Sequence, residues 1–199
     1  MYPFFYYLII FTISLVFIYY YNVKSIMGKD VLLFFIIIII IYIGFRPLYV
    51  GGDTYAYSQR LSHYLLNESL TQEGREPIYY LFITLLKNLT FNNIHLIFLV
   101  INFIIIFSFY NLMVKFVSLE IIPLVLVILF SHYLFLTFNI NILRQGLAAS
   151  LVFYIFWTLL KSNENHLKIL FIIFLSTQIH VSSFFVFIFY IYYLLLKKY

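Results

Sequence analysis

Three short polar islands interrupt a chain that is otherwise apolar. The first is Arg46-Pro47-Leu48-Tyr49-Val50-Gly51-Gly52-Asp53-Thr54-Tyr55, which packs a cation, a turn and an acid into ten residues after the apolar run Val31 to Phe45. A glycine pair permits positive φ and close backbone approach. It serves either as a turn feeding a helix near Tyr55, capped by Asp53 or Thr54, or as a cradle. In the cradle, Gly51, Gly52 and Thr54 approach a diphosphate or sugar while Asp53 takes a hydroxyl proton. The second island is Asn139-Ile140-Asn141-Ile142-Leu143-Arg144-Gln145-Gly146. With Asn141 as N-cap, Arg144 falls in the first helical turn, where the helix dipole disfavours a cation. It therefore needs an anionic partner, either Asp53 in a structural pair or a phosphate held bidentately. The third is Gln178-Ile179-His180-Val181-Ser182-Ser183, where His180 is either an interfacial hydrogen-bonding residue or a base or sugar contact.

Asp53, Arg144 and His180 are thus the catalytic candidates. Arg46, Gly51, Gly52, Thr54 and Gln145 are the substrate-binding candidates. His63, His95, His132 and His166 do not stand together at ligand spacing, so no metal site is expected, and no cofactor is implied. Gly146 with Ala148, Ala149 and Ser150 forms a small-residue face suited to close helix packing. Asn67-Glu68-Ser69 and Asn88-Leu89-Thr90 match glycosylation sequons, a pattern that recurs by chance.

The elements that must position these islands are membrane helices. The chain is 65% hydrophobic and 10% charged, with a mean hydropathy of +1.04, against roughly 25% charged residues in a soluble domain. Its apolar runs are continuous, not the alternating segments of a barrel. The net charge of +5 is spread singly between apolar spans, so it reports membrane orientation and not nucleic-acid binding. Cysteine is absent, which excludes a disulfide framework and thiolate metal sites. The N-terminal run has no basic residue before it and no cleavage signature, so it reads as a retained helix.

The expected fold is all-α: one multi-pass membrane domain over 1–199. It has about seven transmembrane helices, at 2–21, 31–45, 94–114, 121–138, 143–160, 167–179 and 182–196. Tyr57, Leu61, Tyr64 and Leu65 fall on one face of an amphipathic helix expected on the membrane surface. Residues 77–90 are short for a span and read as re-entrant or interfacial. If 77–90 does not cross, Lys24, Lys29, Lys115, Lys161, Lys168, Lys197 and Lys198 share one side. The positive-inside rule makes that side cytoplasmic. Arg46, Asp53, Arg60, Arg75, Arg144 and His180 then share the other.

Several motifs fall in a familiar order: Arg46 with Gly51-Gly52-Asp53-Thr54-Tyr55, Glu76-Pro77 opening an apolar run, Leu143-Arg144-Gln145-Gly146-Leu147-Ala148, and His180 before small polar residues. Across about residues 40–190 the chain resembles the EpsG-like family of bacterial exopolysaccharide and capsule synthesis, similar in role to Wzy-type O-antigen polymerases. The resemblance implies a membrane glycosyltransferase in the bacterial cytoplasmic membrane. It would join repeat units carried on undecaprenyl diphosphate at the extracytoplasmic face, alongside other polysaccharide assembly proteins. Arg144 and Arg46 would hold the diphosphate, and Asp53 or His180 would deprotonate the acceptor. Members of that family are usually longer, which implies C-terminal truncation here. Two other classes stand beside this one: a non-catalytic subunit of a synthase complex, and a flippase for the lipid-linked unit. The flippase would need ionisable groups at mid-span, where few occur.

Overall fold

The computed structural model describes residues 7–8, 10–16, 29–63, 76–118, 120–159 and 165–197. Its elements are α1 (Lys29–Gly44), α2 (Thr54–His63), α3 (Pro77–Leu89), α4 (Ile94–Phe116), α5 (Ile122–Ser131), α6 (Tyr133–Ile140), α7 (Leu143–Leu159) and α8 (His166–Ile179). A 3-10 turn, Val181–Ser183, leads into α9 (Phe184–Lys197). Residues 10–16 are also helical. Among the described residues there is no strand, so the all-α expectation holds. Tyr64, Leu65, Arg75, Lys24, Lys161, Lys198 and the sequon at Asn67 lie outside the described residues.

The bundle is organised around α4. Asn93 caps it by accepting the N–H groups of His95 and Leu96, and its 23 residues span about 34 Å at 1.5 Å each. It is long and apolar enough to cross a membrane by itself. Two glycines let neighbours approach it. A Cβ on Gly44 would lie 2.7 Å from Leu99 Cα, and one on Gly146 would lie 2.7 Å from both Ile105 Cδ1 and the Phe138 carbonyl oxygen. The small-residue face at Gly146 is therefore a packing surface. Phe45 stacks on His95, so α1 runs antiparallel to α4. Phe153 packs on Phe109 and Lys115 lies over Trp157, so α7 runs parallel to it. A core of Ile36, Ile39, Ile43, Ile97, Ile101 and Ile105 fills the space on the α1 side. A second cluster, with Ile155, Ile169, Ile173 and Tyr190, joins α7, α8 and α9.

The apolar residues do not stop at the core. Phe34, Ile37, Ile41, Phe171, Phe174, Phe185 and Phe189 are all exposed. A soluble helix would turn a polar face outward; these faces suit lipid, and the protein is a membrane protein.

One expectation needs correction. The run 121–138 is not one straight span: it breaks at His132 with a bend of 71°. His132 is extended there, and its Nδ1 accepts the Leu134 N–H, so this side chain starts a second helix instead of continuing the first. Among the described residues, α4 alone is long and apolar enough to cross a membrane, or two spans exist if the bent pair counts as one, while α1, α7, α8 and α9 are shorter apolar helices, so a seven-span topology is not confirmed.

The ends of the bundle differ in charge. Lys115 sits over Trp157, Lys168 donates to Tyr154, and Lys197 lies over Tyr193, whose hydroxyl donates to the Leu159 carbonyl. All three mark the end where α4 and α7 finish. Arg46, Arg144 and His180 lie at the opposite end. α1 finishes and α4 starts at that opposite end, and α2 and α3 begin there as well, at Thr54 beside Arg46 and at Glu76 beside Arg144.

Candidate functional site

The site is built from a frame and a cluster. Arg46 is the centre of the frame. It follows α1 directly and is fully buried. Its Nη1 donates to the Ile43 carbonyl at 3.0 Å, its Nη2 to the Ile140 carbonyl at 3.1 Å and its Nε to Thr54 Oγ1 at 3.2 Å. The guanidinium also lies 4.3 Å from the centre of the Phe98 ring. Thr54 Oγ1 donates in turn to the Ile140 carbonyl. Arg46 and Thr54 therefore tie the end of α1 and the start of α2 to the last carbonyl of α6. Gly51, at φ +87, lies where a Cβ would come within 2.4 Å of Asn141 Oδ1. Gly52 has open space around it, and Asp53 is exposed.

This frame sets the start of α7, three residues after Ile140. The first expected cap is corrected: Asn141 closes α6, through its N–H to the Thr137 carbonyl, and its Oδ1 has no hydrogen-bond partner. Ile142 supplies the first carbonyl of α7, to the Gly146 N–H, and offers no side-chain acceptor. Arg144 thus stands in the first turn, as expected, at a helix start without a side-chain cap from Ile142.

Its carboxylate partner is Glu76, not Asp53. Arg144 Nη1 donates to Glu76 Oε2 at 2.6 Å. Glu76 precedes Pro77, whose missing N–H costs nothing at the start of α3. The Glu76 side chain makes no capping bond to its own helix; it turns to the guanidinium instead. Tyr57, on α2, hydrogen-bonds Arg144, and the Tyr79 ring lies 5.8 Å away. Glu76 Oε1 is 3.8 Å from His180 Nε2, at the end of α8. The side-chain exposures are 26% for Arg144, 16% for His180 and 8% for Glu76, so the guanidinium remains the most accessible of the three. Gln145 is half-buried beside it.

His180 has a defined tautomer. Its Nδ1 accepts the Ser182 N–H at 3.2 Å and lies 2.7 Å from Ser182 Oγ. An accepting Nδ1 leaves the proton of a neutral ring on Nε2, the atom that faces Glu76. Burial pushes His180 below the ordinary imidazole pKa; Glu76 opposes that shift and Arg144 adds to it. The ring is thus neutral near pH 7, with its N–H turned toward the carboxylate.

A family model describing the EpsG family matches residues 29–199. The chain belongs to the EpsG family. The match begins where α1 begins and covers every residue of the frame and cluster. No curated protein and no solved structure matches the chain. Membership makes this EpsG-family chain a membrane protein of polysaccharide biosynthesis.

The three islands of the EpsG-family chain gather at one end of its bundle, joined by residues that sequence reasoning gave no role. Glu76 was legible only as an acid placed directly before a helix-opening proline. Tyr57 carried no signal, since it shares its row with other apolar residues. His95, His132 and His166 have local duties: His95 stacks on Phe45, His132 caps α6, and His166 bonds the Tyr190 hydroxyl.

Proposed function

We propose that this protein is a polysaccharide polymerase that joins repeat units carried on a lipid diphosphate. The observation that carries the reading is the Glu76–Arg144 pair. It is a charged, partly exposed acid–guanidinium contact beside a neutral histidine, at the end of an apolar bundle opposite Lys115, Lys168 and Lys197. In membrane proteins such groups mark a path or a reaction centre more often than they stabilise the fold.

In this reading Arg144 and the start of α7 hold the diphosphate, since a guanidinium and a helix N-terminus both favour anions. Diphosphate entry draws Arg144 from Glu76 and leaves the carboxylate free to act as base. The acceptor hydroxyl oxygen attacks the anomeric carbon of the donor. The bond from that carbon to the diphosphate oxygen breaks, and the lipid diphosphate leaves with the electron pair. The hydroxyl proton passes to Glu76. His180 donates from Nε2 to orient Glu76 or a sugar oxygen. Asp53, exposed in the turn, and Gln145 contact the sugars, while Arg46, Gly51 and Thr54 hold the frame. The lysine end is cytoplasmic by the positive-inside rule, which puts the cluster on the extracytoplasmic face. The shorter apolar helices cross a locally thinned bilayer, with flanking lysines reaching to the interface. A polar cluster confined to one end favours group transfer there over passage across the membrane.

The test is an Arg144→Ala protein expressed in cells lacking their own copy. Loss of long-chain polymer with accumulation of single-repeat lipid intermediate supports the reading. Polymer of normal length removes it.

A further inference from the structure

A second polar assembly lies at the lysine end, away from the cluster above. On α4, Ser108, Asn111 and Lys115 follow at i, i+3 and i+7; on α7, Ser150, Tyr154 and Trp157 follow at i, i+4 and i+7. These spacings place each set on one helix face, and the two faces meet across a groove of about 270 Å³ with Leu112 and Leu151 in its wall. Asn111 and Lys115 are exposed although they sit on the apolar, membrane-length helix α4. Lys115 Nζ lies 3.4 Å from the centre of the Trp157 ring, and Lys168 Nζ donates to the Tyr154 hydroxyl at 2.8 Å. Two ammonium groups are therefore held at the groove by the aromatic residues that line it. No acid is among its described lining residues.

A polar amide turned toward lipid is costly unless something satisfies it. The occupant must offer acceptors to the amide and hydroxyl donors, carry negative charge for two lysines, and tolerate apolar flanks. The geometry points to the phosphate-bearing headgroup of an anionic phospholipid of the surrounding membrane, its acyl chains running down the exposed apolar faces. Basic pockets between helices bind such headgroups elsewhere. The assignment is independent of the polymerase reading.

Trp157 is the only tryptophan in the chain, so its emission reports on this groove alone. The full protein is reconstituted in nanodiscs of phosphatidylethanolamine with increasing phosphatidylglycerol. A headgroup that draws Lys115 from the indole changes Trp157 emission saturably as phosphatidylglycerol rises. Lys168→Ala raises the midpoint roughly fivefold, the loss expected for one lysine near an anionic surface. Asn111→Leu, on an exposed position, raises it as well, with the helical circular dichroism signal unchanged in both variants. The proposal is overturned by an equal response to discs of phosphatidylethanolamine alone, or by midpoints that neither variant moves. It is also overturned if inorganic phosphate produces the same emission change in detergent without lipid, which would assign the groove to free phosphate.

Discussion

Glu76→Gln isolates the contact on which the site depends. The substitution keeps the shape and one acceptor but removes the charge that faces Arg144 at 2.6 Å. Removing one partner of a buried pair costs about 3–5 kcal/mol. Here the Arg144 side chain is 26% exposed, and glutamine still accepts one bond. Solvent screening and that bond reduce the loss to about 1–2 kcal/mol. A protein with stability in the usual range of about 5–15 kcal/mol remains folded, so the variant can be purified. The assay is thermal unfolding in detergent of the wild type, Glu76→Gln, Arg144→Gln and the double variant. Residues in contact should couple, so the double variant loses less than the sum of the single losses, by about 1 kcal/mol or more. A coupling near zero, within about 0.3 kcal/mol, means the two charges do not meet, and the cluster described above does not exist.

Further expectations follow from neighbouring residues. His180 titrates below its ordinary value in the folded state because burial disfavours its charged form. The unfolded chain then binds more protons as pH falls below the free imidazole value. Wild-type stability is therefore full above about pH 6.5 and falls on acidification below it, whereas His180→Asn flattens that part of the melting-temperature profile; identical profiles would contradict the burial. Gly51→Ala forces a side chain into φ +87 and against Asn141 and Ile140 and lowers stability by about 1–3 kcal/mol, while Gly52→Ala, with open space, changes the melting temperature little. Equal effects at both glycines would show that the turn is not seated as described. Arg46→Met removes three hydrogen bonds, to the Ile43 and Ile140 carbonyls and to Thr54 Oγ1, and costs about 3 kcal/mol or more, read as loss of folded protein in detergent extracts. Unchanged yield and melting temperature would show that Arg46 does not hold the frame.

The islands were legible because an ionisable residue in an apolar chain stands out and must be satisfied somewhere. Arg144 was identified by its position against the helix dipole, and His180 by its place between two apolar runs. Glu76 stood out only with Pro77 as the opening of an apolar run, since nothing local shows which of several acids a distant guanidinium will choose. Tyr57 was hidden among the 20 tyrosines of the chain. Helix existence was read well, from Ile94–Phe116 to His166–Ile179. The break at His132 was not, because hydropathy counts apolar residues and is blind to a side chain that caps a new helix inside a run. Asn141 looked like the cap of α7 by type; the frame around Arg46 and Gly51 instead fixes it at the end of α6.

Chain extension by the purified protein, supplied with a lipid-diphosphate-linked repeat unit, decides whether the Glu76–Arg144 contact is a reaction centre. Wild-type protein should lengthen the unit, while folded Glu76→Gln should slow extension by about a hundredfold or more, the usual loss on removing a general base. Extension by folded Glu76→Gln at the wild-type rate would contradict the account.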